Sequence, residues 1–165
     1  MPRRRLLFVA CLSLLCTYSG LAAPVFSTAA EPRMRLFVVV QKSSTLSELS
    51  LRDLKRLYLG EYIKDADGKQ LIALNHPPQS PDRVGFDQVV LKMTPDQAGR
   101  FWVDRKIRGQ PAAPRSVAPR ELLRKFVAAS PGAVAYVRGG EVDPELKALA
   151  IDGKRPDAAD YPLQY

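Results

Sequence analysis

The sequence predicts an α/β fold, a mixed or largely parallel sheet with helices on its faces, and three observations carry that expectation. Leu36–Val40 is a continuous apolar run rich in β-branched residues, the composition of a strand buried on both faces. A second such run follows at Ala133–Val137, directly after the helix-breaking pair Pro131-Gly132. Between the two, segments with apolar residues at helical spacing alternate with a further short strand, a pattern that favours crossover connections.

Each intervening element follows from local chemistry. Gln41–Glu48 reads as a polar loop. Ser50–Tyr58 reads as a helix: Ser50 can cap it, Asp53 sits three residues on, and Leu51, Leu54, Leu57 and Tyr58 form one apolar face. Gly60 supplies the left-handed residue that stops it. Asp65–Gly68 is a turn, and Leu71–Leu74 a short strand. Ser80-Pro81-Asp82 opens a helix expected to run through Leu91, with a capping hydroxyl, a proline at the first helical position and an acid at the positive end. Thr94-Pro95-Asp96-Gln97 repeats that grammar and opens a helix to about Lys106, with Phe101 and Trp102 expected as core anchors. Gly109–Pro119 is a loop, and Arg120–Ala129 a helix with Leu122, Leu123, Phe126 and Val127 inward. Leu146–Ile151 is expected as the last strand.

The N-terminus reads as a targeting segment. Arg3, Arg4 and Arg5 precede the apolar run Leu6–Leu15, and small residues follow at Gly20, Ala22 and Ala23, the layout of a secretory signal peptide. Residues 1–23 are expected to be removed, with cleavage as late as Ala30 an alternative; 24–34 is then a flexible leader, 35–152 the folded domain, and 153–165 a loose C-terminal tail. Removal takes three of the 25 basic residues, leaving 22 against 17 acids, or +5. It also takes both cysteines, Cys11 and Cys16, so an exported chain is held by an ordinary apolar core without disulfides.

Catalytic constellations are thin. The chain has one histidine, no nucleophile elbow, no phosphate-cradling P-loop and no dinucleotide fingerprint. Asp65 and Asp67 are spaced like the first ligands of a calcium loop, but no Glu closes it, and a solvated turn is the expectation. Basic residues are scattered among acids without an aromatic-basic motif, which argues against nucleic acid. The best candidate site is the turn into the Ser80 helix. Its opening amides and partial positive charge suit a small oxyanion. Ser80 adds a hydroxyl, Arg83 a cation, and Asn75 and His76 lie in the approach; His76 taken alone reads as a surface loop residue.

Two segments carry a family resemblance: Leu49–Gly60, Leu-Ser-Leu-Arg-Asp-Leu-Lys-Arg-Leu-Tyr-Leu-Gly, and Ser130–Val137, Ser-Pro-Gly-Ala-Val-Ala-Tyr-Val. With the material between them they resemble the phosphate-type periplasmic substrate-binding proteins of ABC transporters, from about Phe37 to Val137. The resemblance implies a single lobe of a type II periplasmic binding-protein fold. In that family the loop after the lobe's second strand often reads Arg-x-x-x-Ser-Gly-Thr, and its amides, hydroxyls and arginine hold the anion. Here Ser80 matches, Pro81 stands for the glycine, Asp82 for the threonine and His76 for the arginine, while Arg83 matches the arginine that many relatives carry at the helix start.

The resemblance therefore implies a periplasmic, non-enzymatic, solute-binding-like protein for phosphate or a similar small oxyanion, linked to ABC-type transport or sensing, with Asn75, His76, Ser80, Asp82 and Arg83 as the ligand-binding set and no metal or cofactor. The alternative is an envelope interaction module that kept the scaffold and lost the ligand. One lobe leaves one wall of a cleft open, so a second copy of the chain is a further possible partner, beside a membrane transporter or other envelope protein.

Overall fold

The computed structural model describes residues 34–165; the expected signal segment, and nearly all of the leader, lie outside the described residues. A five-stranded sheet forms the centre, in the order β4 (Arg115–Ser116), β3 (Ile72–Asn75), β5 (Ala133–Arg138), β1 (Leu36–Gln41), β6 (Leu146–Ala148). It is mixed. β3 runs parallel to β4 and β5, whereas β1 is antiparallel to both β5 and β6. A two-stranded parallel ribbon, β2 (Glu48–Leu49) with β7 (Ala150–Ile151), stands beside it; β2 uses the end of the segment expected as loop.

Alternation along the strands assigns the two faces. Leu36, Val38 and Val40 of β1, with Val134 and Tyr136 of β5, enter one apolar cluster; Val39, Ala133, Ala135 and Val137 enter the other. The first face is covered by α1 (Leu51–Tyr58) and α2 (Pro81–Phe86), the second by α4 (Arg120–Ala129). The α1 cap forms as expected, Asp53 N donating to Ser50 Oγ at 2.9 Å, and Gly60 ends the helix at φ +81°. α2 passes into a single π-helical stretch, Asp87–Leu91, which Lys92 terminates in the left-handed region. The Thr94 capping box is complete, with Thr94 and Gln97 bonding each other's backbone amides, and opens α3 (Pro95–Ile107).

Three expectations are corrected. The segment 153–165 is not a loose tail. Tyr161 and Leu163 are fully buried, Leu36 N donates to Leu163 O at 3.0 Å, and Met34 and Tyr165 exchange two backbone hydrogen bonds. The alternation Tyr161, Leu163, Tyr165 places three large side chains on one side of an extended segment, a signal masked by the polar stretch ahead of it. Phe101 and Trp102 are not core anchors. α3 buries only Ala98, and both aromatics lie half-exposed with Arg105 over their rings. In α4, Leu123 and Val127 are inward as expected, but Leu122 is exposed and Phe126 only half-buried beneath Arg115.

Candidate functional site

The carboxyl ends of the parallel strands β3 and β5 meet the start of α2 and the start of α4, the position where open α/β sheets place their ligands. β3 ends in Asn75 and the chain continues into His76, and both are buried. Asn75 Oδ1 accepts from the His76 amide and from the Tyr136 hydroxyl. His76 Nε2 lies 2.9 Å from the Tyr136 carbonyl; a carbonyl only accepts, so the ring carries its proton on Nε2. Burial lowers the His76 pKa, with the Tyr136 carbonyl and the Asp82 charge opposing that shift. The imidazole is thus an interior hydrogen-bond donor rather than a surface loop residue. It packs on Tyr136, which stacks on Phe86 at 4.0 Å and 6°, and Tyr58 completes the cluster. The Tyr58 hydroxyl donates to the Leu74 and Val134 carbonyls, tying α1 to both parallel strands.

Ser80 is the N-cap of α2, and Arg83 N donates to its Oγ at 3.3 Å, so the hydroxyl serves the helix itself. Asp82, in the first turn, is 1 % exposed. Its carboxylate accepts from Arg138 Nε at 2.7 Å and faces Arg120 Nε at 3.0 Å. Arg120 also reaches Glu141, and Arg124 bridges Glu141 to Asp143. The three arginines are matched by three acids, so the cluster is neutral as a whole. Two guanidinium groups converge on one carboxylate at the head of a helix, the arrangement a bound oxyanion would have, and the chain supplies the carboxylate itself.

Arg83 parts company with these residues. Its side chain turns to Asp87, with Nε donating to Oδ2 at 2.6 Å, and both are buried. Burial raises the Asp87 pKa and the Arg83 guanidinium opposes it.

The structure thus gathers Asn75, His76 and Asp82 at one strand-end cluster, makes Ser80 a cap and sends Arg83 elsewhere. Arg138 and Arg120, which complete the cluster, were not singled out from sequence. The signal for Arg138 was its place directly after the buried strand, where a charge has to turn outward or find a partner. Arg120 sits in the first turn of a helix, where a base gains nothing from the helix dipole, so its position there itself called for an acid.

No protein-family model matches the chain, and no curated protein matches its sequence. Solved structures do match. The chain is similar to an ABC-type phosphate transport receptor from Vibrio cholerae, with a TM-score of 0.63 at 17 % identity over 80 % of this chain and 54 % of that one. It is similar to PstS from Borrelia burgdorferi, at 0.62 and 13 % over 80 % and 55 %. A putative phosphate ABC transporter substrate-binding protein with bound phosphate from Clostridium perfringens gives 0.60 and 15 % over 75 % and 47 %. What they share is the fold. That fold is a mixed sheet flanked by helices, and the chain spans about half the length of each of these structures. No helix among the described residues is long and apolar enough to cross a membrane, and no group of three or more His, Cys, Asp or Glu among them could hold a metal ion.

Proposed function

We propose that the protein is an exported, non-catalytic binding module of the cell envelope that works beside a membrane transporter or sensor and recognises a protein partner, with its ancestral type of anion seat filled by its own Asp82. One observation carries this reading: a fully buried carboxylate held by Arg138 and Arg120 at the strand ends. A free phosphate entering the Ser80 turn would have to displace that carboxylate, and the cluster holds no surplus positive charge to repay the exchange. The fold likeness supports a solute-binding ancestry and a transport or sensing setting, and the N-terminal segment supports export.

A second reading is favoured by the fold and by Ser80 at its cap: a receptor for phosphate or a similar small oxyanion at the Ser80 turn, beside His76 and Asn75. Under it, Asp82 swings aside and releases Arg120 and Arg138 to the ligand. Calorimetric titration with phosphate, sulfate and molybdate separates the two. Heat at micromolar anion, lost in Ser80→Ala, supports the receptor. Silence toward all three, with a stable complex recovered from envelope extracts by the purified protein, supports the interaction module.

A further inference from the structure

A cleft of about 660 Å³ opens between α2, the first half of α3 and the Ala113–Ser116 segment, on the side of α2 to which Arg83 turns. It is separate from the Asp82 cluster. Arg83 and Asp87 line it, Trp102 forms a wall, and Arg100 and Ser116 stand on exposed parts of its rim. Arg83 is 8 % exposed, and Nε is its one guanidinium nitrogen with a partner among the described residues. Its two Nη nitrogens are not among the buried unpartnered atoms, so they keep access to solvent and are free to meet a ligand's acceptor. Asp87 Oδ1 and the Trp102 indole nitrogen are buried without a hydrogen-bond partner. The same small region therefore holds two buried unpartnered polar atoms beside a cation with its Nη pair free.

We infer that this cleft binds a small organic carboxylate with a ring or other apolar body. The carboxylate is assigned to the free Nη pair of Arg83, whose spacing suits two oxygens on one carbon, with Arg100 at the mouth as a second cation. The body is assigned to the Trp102 ring and the proline- and alanine-rich walls. Volume and charge select this class. The cleft is of the size that holds small organic molecules, and an inorganic oxyanion would leave most of it filled with water. Asp87 and Asp96 in the lining offset Arg83 and Arg100, so the cleft has no net charge and disfavours a multiply charged anion more than a singly charged one.

The test uses the chain's one tryptophan as its reporter, since Trp102 lines the cleft. Benzoate and cyclohexanecarboxylate are titrated against the intact protein by fluorescence and calorimetry, with benzamide as the neutral isostere and inorganic phosphate as the anion without a body. Two exposed positions give the variants. Arg100→Glu reverses the charge at the mouth. Gly99→Phe puts a ring into the cleft from α3, at an exposed position where a Cβ meets no atom within 4 Å. Saturable binding of both carboxylates is expected, weaker by about tenfold or more for benzamide and in Arg100→Glu, and lost in Gly99→Phe while circular dichroism is unchanged. Absence of saturation by either carboxylate overturns the inference, as does binding undiminished by Gly99→Phe. Heat with inorganic phosphate that survives Gly99→Phe belongs to the Ser80 turn, so the two sites succeed or fail separately.

Discussion

Arg138 Nε stands 2.7 Å from Asp82 Oδ1, which joins the end of β5 to the first turn of α2 and, through Arg120, to the start of α4. The contact closes the sheet end where a ligand of this fold would sit. On the function proposed above, it is both a stability element and what keeps a solute out of the turn. Asp82→Ala should cost about 1–3 kcal/mol in urea unfolding, below the ~3–5 expected for a fully buried pair, because Arg120 and Arg138 keep partial access to water. Formate or acetate should restore part of the lost thermal stability in Asp82→Ala and leave the unsubstituted protein unchanged. Equal response of both proteins would count against a carboxylate-shaped seat.

The packed C-terminal segment gives a second prediction. Leu163 is fully buried, so Leu163→Ala should destabilise the fold by about 2–5 kcal/mol. Asp157→Ala in the same segment, at an exposed position, should stay within ~0.5 kcal/mol. Chemical denaturation of both variants checks this; a neutral Leu163→Ala would mean that the segment is loose after all.

His76 predicts a pH dependence. Burial holds its folded pKa below the ordinary 6.5, so between the two values the unfolded chain binds more protons than the folded one. Its contribution is complete above about pH 6.5 and is lost as pH falls below that value, at no more than ~1.4 kcal/mol per pH unit. Unfolding midpoints measured from about pH 7.5 down to about pH 5 should fall in the unsubstituted protein, and this component should be missing from His76→Gln, whose amide can still donate to the Tyr136 carbonyl. An identical pH profile in the variant would show that the imidazole is not the titrating group.

Gly132 sits at φ +88°, and a Cβ there would come within 2.7 Å of the Gln70 carbonyl oxygen. Gly132→Ala should therefore cost about 2 kcal/mol or more, from left-handed strain and the clash with the strand-entry backbone. Differential scanning calorimetry reads this as a lowered melting temperature; an unchanged one would mean the turn relaxes freely.

Much of the fold was legible because it is written in local chemistry. The β-branched runs of β1 and β5, the caps at Ser50, Ser80 and Thr94, and the stop at Gly60 each specify structure within a few residues. The tail was misread because the pattern at Tyr161, Leu163 and Tyr165 is short and follows a charged stretch. Trp102 was misread because a large aromatic on a helix is buried only when something covers it, and Ala98 is the one residue α3 buries. At the candidate site, the residue types near Ser80 were legible, but their roles were not. Whether Asp82 meets solvent or two arginines depends on Arg120 and Arg138, which lie 38 and 56 residues away in sequence.

The central claim, that Asp82 fills the anion seat, is tested most directly by isothermal titration of inorganic phosphate into the unsubstituted protein beside the Ser80→Ala variant. The account predicts no heat of binding at micromolar phosphate in either protein. Micromolar binding by the unsubstituted protein that disappears in Ser80→Ala would contradict it.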